Sequence, residues 1–190
     1  MALRRITDAA TEPVTTAEAK AHMRITVATE DALIDALIKS VRQACENELG
    51  RALITQTWKK SLDQFPDAIE LPYPPIIGVT SVYYLAPVTG VTTLLSAASY
   101  TVDAASEPGW LVPAYGYDWP TPQDVINAVE ITYTAGYGAA AAVPESIKAW
   151  IKCHVGNLYE NRETTIIGAS VVPLPFLDGL LDPYRVVRIA

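Results

Sequence analysis

The sequence is short of almost everything that chemistry at a protein site requires. It holds two histidines and two cysteines in 190 residues, and only 18% of its residues are charged. Zinc would need four separated positions to converge. Cys153 and His154 are adjacent, so on a helix their side chains point about 100° apart and make a poor ligand pair. No GxGxxG, P-loop, HExxH or GxSxG occurs. Acid pairs such as Glu30–Asp31 and Glu46–Glu48 have the spacing of solvated helix faces, and no pattern singles out two acids for hydrolysis. No stretch approaches the roughly 18 apolar residues of a membrane span. The opening MALRRITDAATEP has no apolar core of the kind a secretory signal carries. The expectations are therefore no enzyme, no catalytic residues, no metal, no cofactor and no membrane.

What is present is apolar and acidic. Half the residues are hydrophobic, which is ample for a core and excludes a disordered chain. The net charge is −7, unsuited to gripping phosphates. Cys45 and Cys153 fall on apolar helix faces and read as two buried thiols, as in a reducing cytoplasm. The 14 prolines and 10 glycines lie mostly after residue 65 and predict a loop-rich second half.

The organising stretch is 29–50, TEDALIDALIKSVRQACENELG. Leu33, Ile34, Leu37, Ile38, Val41, Cys45 and Leu49 recur at spacings of three and four, which predicts one amphipathic helix. Lys39, Arg42, Gln43, Glu46 and Asn47 fall on its polar side. Thr29 is the expected N-cap and Gly50 the left-handed stop. Before it, Thr15 and Glu18 have capping-box spacing for a short helix from Thr16 to Met23, and residues 1–14 read as an extended arm. His22 reads as surface or packing.

From residue 53 the period changes to two. Strands are expected at 54–62, 69–73, 76–85, 91–95, 100–103, 110–113 and 125–135, with a hairpin turn at 87–90 and a proline-rich loop at 116–124. Pro144 then opens a second long helix, PESIKAWIKCHVGNLYENRE, whose Ile147, Trp150, Ile151, Val155, Leu158 and Tyr159 can cover the first stripe. A short helix at 176–181 and the tail LLDPYRVVRIA follow. The reading is α+β: mainly a helical bundle with an inserted antiparallel β subdomain. Residues 1–52 and 139–190 are expected to form one helical core, with 53–138 as the insertion.

Tyrosine enrichment with charge depletion is a mark of protein interfaces. Trp110 and Trp119 lie in or near the proline-rich loop, where they read as β-unit packing or interface rather than as a sugar platform. Trp150 reads as core.

The order of these features resembles the head–tail connector (adaptor) proteins of tailed bacteriophages, prophages and gene transfer agents. The residues that carry the resemblance are the TxxE helix, the acidic-capped helix ending in ELGR (48–51), and the TQTW (55–58) that opens the β region. AGYG (135–138), the PESIKAWIK helix and the terminal LLDPYR (180–185) complete it. The resemblance implies a structural virion protein of the head–tail junction, made in the host cytoplasm. It implies a ring of copies, expected to be twelve-fold, beneath the portal protein, which extends the DNA channel and docks the next tail-side connector or terminator. DNA would pass through without sequence-specific binding. An acidic lining would repel phosphates, and the candidate channel-facing acids are Glu46, Glu48, Glu160 and Glu163, against a reading of all four as ordinary solvated surface. The candidate interface residues are Trp110, Trp119, Tyr184, Arg185 and Arg188. The tail 180–190 is expected to pack on a neighbouring protein or on its own domain. The alternatives are a ligand- or glycan-binding module using the β-unit Trp and Tyr loops, and a hydrolase, which would need a polar cleft that the sequence does not reveal.

Overall fold

The computed structural model describes residues 1–161, 177 and 179–186. The chain is α+β and divides into a β unit, 1–10 with 55–137, and a helical unit, 11–54 with 138–190.

In the helical unit, α1 (Thr16–Met23) carries the expected capping box: the Glu18 N–H donates to Thr15 Oγ1, and the Glu18 carboxylate accepts from the Thr15 N–H. These hydrogen bonds hold the Glu18 carboxyl below its ordinary value. Its contribution is therefore present above the usual carboxylate range and lost as pH falls through the lowered pKa. Thr15→Ala is expected to cost about 1 kcal/mol, measured by urea unfolding at neutral pH, with a smaller cost once Glu18 is protonated.

α2 (Asp31–Leu49) ends where expected, with Gly50 left-handed at φ 67. It starts one residue later than Thr29 predicts: Glu30 is the N-cap, and its side chain makes no capping bond. α3 (Glu145–Glu160) follows Pro144, which is the N-cap rather than the first helical residue. α2 packs on α3, and α1 packs on both. The Tyr159 hydroxyl donates to the Glu30 carboxylate, which places the end of α3 at the start of α2 and makes the pair antiparallel. The facing stripes bury Ile34, Ile38, Val41, Cys45 and Leu49 from α2, and Ile147, Trp150, Ile151 and Val155 from α3. Two positions of the expected stripes are outside it, since Leu33 and Leu158 are exposed. Of the short helix expected at 176–181, residues 176 and 178 lie outside the described residues, while 177 and 179 are helical and 180–181 form a turn.

In the β unit, the strands are β1 (Ala2–Thr7), β2 (Gln56–Leu62), β3 (Ile69–Leu71), β4 (Ile76–Leu85), β5 (Thr92–Leu94), β6 (Tyr100–Asp103), β7 (Gly109–Pro113) and β8 (Val129–Ala135). They form a five-stranded antiparallel sheet in the order β1-β2-β8-β4-β5 and a three-stranded one in the order β3-β7-β6. Residues 2–7 are thus an edge strand paired to β2 rather than a free arm. β8 alternates as the sequence predicts, with Val129, Ile131, Tyr133 and Ala135 inward. β2 places Trp58, Lys60 and Leu62 on its buried face. Tyr133 donates its hydroxyl to Pro72 O at 2.9 Å, and Trp58 stacks on Tyr73 at 4.2 Å, so the link 72–75 lies over this face. Gly109 marks a close approach of the two sheets: a Cβ there would stand 2.6 Å from Ile76 Cγ1 of β4, and 2.9 Å from Asp103 O of the neighbouring β6.

Candidate assembly interface

The C-terminal end of α2 is the most densely bonded part of the helical unit. Arg42 is fully buried at 0% exposure and Glu46 is 3% exposed. The Arg42 guanidinium donates to Glu46 and to Glu12, each at 2.7 Å. The other Glu46 oxygen accepts from the Leu53 N–H at 3.0 Å. The expectation that Glu46 lies on an open polar face is corrected here. Its carboxylate is spent on an internal guanidinium and a backbone donor, and a buried charge persists only with such partners. The i,i+4 spacing of Arg42 and Glu46 beside the apolar stripe was the available signal.

Glu48 is half-exposed and meets Arg185 at 2.7 Å, while Arg185 also reaches Asp182 at 3.2 Å. The hydrogen bond that Arg185 donates to Glu48 raises the Arg185 pKa. Beside them the Arg51 guanidinium donates to Tyr184 O, the Val186 N–H donates to Leu49 O at 2.9 Å, and Leu181 is fully buried. The described part of the tail, 179–186, therefore packs on its own unit. Tyr184 and Arg185 thus contact the α2 end, as the own-domain expectation has it, while Arg185 also stays exposed. The reason is local: α2 leaves backbone carbonyls unpaired at its end, and the tail supplies a donor for one of them. Cys45 lies under this cluster, its thiol pushed up to about 12 by burial and then by Glu48 and Glu46. Glu160 is exposed on the last turn of α3. Glu163 and Arg188 lie outside the described residues. The structure thus brings Glu48, Tyr184 and Arg185 together and keeps Glu46 inside.

In the β unit, Trp110 is partly exposed on β7. One face of the Trp119 ring is taken by Phe65, stacked at 4.8 Å, which leaves less of it for a glycan platform. The same loop exposes Tyr115, Tyr117 and Ile126. Lys60 is buried and donates to Glu70 O at 2.6 Å, and burial lowers its pKa. That lysine is consumed by packing.

An open depression of about 440 Å³ lies beside α1, lined by Thr16, Ala17, Lys20, Ala21, Ile25 and Asp31. Its charged groups, Lys20 and Asp31, are paired with each other at 2.6 Å. Among the described residues no group of three His, Cys, Asp or Glu could hold a metal, and no helix is long and apolar enough to cross a membrane.

The chain exposes Tyr115 and Tyr117, and aromatic residues are enriched at protein interfaces. The comparisons with known proteins agree. Residues 14–83 match the family model described as "Phage gp6-like head-tail connector protein". The whole chain is similar to a chain in the "Virion of native gene transfer agent (GTA) particle", at 25% identity and TM-score 0.82, covering 100% of this chain and 98% of that one. It is similar to one in the "Neck of empty GTA particle computed with C6 symmetry", at 26% identity and TM-score 0.80 over the same shares. A third, in the "Neck of native GTA particle computed with C12 symmetry", shares the fold at 24% identity and TM-score 0.76, again over 100% and 98%. Among curated proteins none matches. The resemblance to head–tail connectors read from the sequence is borne out.

Proposed function

We propose that this chain is a structural head–tail connector of a tailed phage or phage-like particle. Copies of it form a ring beneath the portal protein, extend the DNA channel and present a docking surface to the next tail-side protein. The observation that carries the reading is the likeness over the full chain to chains of a gene transfer agent virion and neck, supported by the connector family match over 14–83. The symmetries of those necks favour a homo-oligomeric ring, and their particle favours a place in the virion after synthesis in the host cytoplasm.

The charge balance suits the role. At −7 the ring as a whole repels DNA phosphates, so DNA slides without sticking. Glu48, Glu160 and Glu163 are the acids proposed to face the channel. Trp110, Trp119 and the tail that contains Arg188 are proposed to meet neighbours.

The test is co-assembly. The purified chain is mixed with the portal encoded beside it and viewed by negative stain and mass photometry. Rings seated on portals are the expected result. Monomers alone, both with and without portal, would overturn the reading.

A further inference from the structure

The five-stranded sheet ends in an edge whose backbone points outward. In the β4–β5 hairpin, the Ala86 N–H donates to Val91 O at 2.9 Å and the Leu95 N–H to Val82 O at 2.8 Å. Between these bonds the register pairs Tyr83 with Leu94, Tyr84 with Thr93, and Leu85 with Thr92. Bonded and non-bonded pairs alternate along an antiparallel ladder. Tyr84–Thr93 is therefore the bonded pair, and Thr92 and Leu94 turn their N–H and C=O groups away from β4. No described strand lies on that side.

The side chains along this edge and its turn are apolar: Val88 is 92% exposed and Leu94 58%. Beside β5 is a depression of about 190 Å³ whose lining includes Tyr83, Thr92 and Glu130.

The other edge of the same sheet is β1, where Ala2, Arg4 and Ile6 are exposed. Every neighbouring pair in the sheet is antiparallel. The first and fifth strands therefore run in the same direction.

The geometry points to a second copy of this chain as the occupant: β1 of one copy adds in parallel beside β5 of the next, joining the β units head to tail. This rests on the ring reading above. An axis of six-fold or higher order turns one copy into the next by at most 60°, so like-directed strands stay like-directed. Pairing two different edges is a heterologous contact, the kind that closes rings, whereas β1 on β1 or β5 on β5 would give two-fold dimers. Backbone pairing supplies the affinity of strand addition. The apolar Met1 and Ile6 of one copy meet the exposed Leu94 and Val88 of the next. An open edge is ordinarily a hazard. Here a three-residue β5 and a register shift in β1 between Arg5 and Thr7 limit stray pairing before assembly.

Disulfide trapping in the assembled ring tests this. Ala2→Cys, Arg4→Cys and Ile6→Cys are each combined with Leu94→Cys, and the rings are oxidised after seating on portals. A ladder of covalent multimers from at least one double variant, absent from every single variant, is the expected result. Rings visible by negative stain that give no ladder from any pair overturn the inference and leave the ring reading standing. Absence of rings from the unmodified chain sinks both. Thr92→Pro gives a second reading, because it removes an outward donor without breaking a bond to β4. It should keep the thermal midpoint and lose the ring at a concentration where the unmodified chain assembles; a ring of normal yield counts against strand addition.

Discussion

Arg42→Met is expected to destabilise the helical unit by about 3–5 kcal/mol, the cost of breaking a buried pair from one side. The methionine fills much of the same volume, so the loss comes from removing the guanidinium that donates to the buried Glu46 carboxylate at 2.7 Å. Glu46→Gln should cost less, because an amide oxygen still serves the Leu53 N–H and Arg42 keeps Glu12 at 2.7 Å. Glu12→Gln should cost least, since the Glu12 side chain is a quarter exposed and water can replace part of its contact. Urea unfolding followed by far-ultraviolet circular dichroism gives the three values. An Arg42→Met chain as stable as the original would show that the network contributes nothing, and Glu12→Gln as the worst variant would place its centre elsewhere.

Trp150→Ala is the second large loss, about 3–5 kcal/mol for an aromatic removed from a packed core. Trp150 is buried on α3 and stacks on His154, ring centroids 3.7 Å apart. Its indole Nε1 is buried and has no hydrogen-bond partner. Trp150→Phe therefore removes an unsatisfied donor along with some volume, and the two effects oppose each other. The phenylalanine variant should lose under about 1.5 kcal/mol, near the range of volume-conserving swaps. Equal losses from Phe and Ala would mean that the indole N–H has a partner.

The features legible in the sequence are those decided within a few residues. The Thr15–Glu18 box, the Gly50 stop, and the strands β4 and β6 were all expected where they are found, because caps, turns and period-two alternation act locally. β1 was not legible. ALRRIT has no clean alternation, and its partner β2 lies some fifty residues on. Arg42 and Glu46 were misplaced because a polarity rule turns charges outward, while the partner that lets them in, Glu12, comes from outside the helix. The tail's seat on α2 was hidden for a related reason. Its contacts run through backbone atoms of Leu49 and Tyr184, and side-chain identity does not announce those. At the candidate interface, residue type suggested which residues are sociable, but the direction of the backbone at Thr92 and Leu94 needed the observed register.

β8 is the last strand of the β unit, yet it sits between β2 and β4. A ribosome therefore delivers the two flanks of the sheet before its middle. Until residue 135 has emerged, β2 and β4 lack the strand that joins them, and α2 likewise waits for α3 to cover its stripe. Each half of the molecule closes only once its late element, β8 or α3, has emerged, so a nascent chain arrested before that point should be an easy prey for proteases and a frequent client of chaperones.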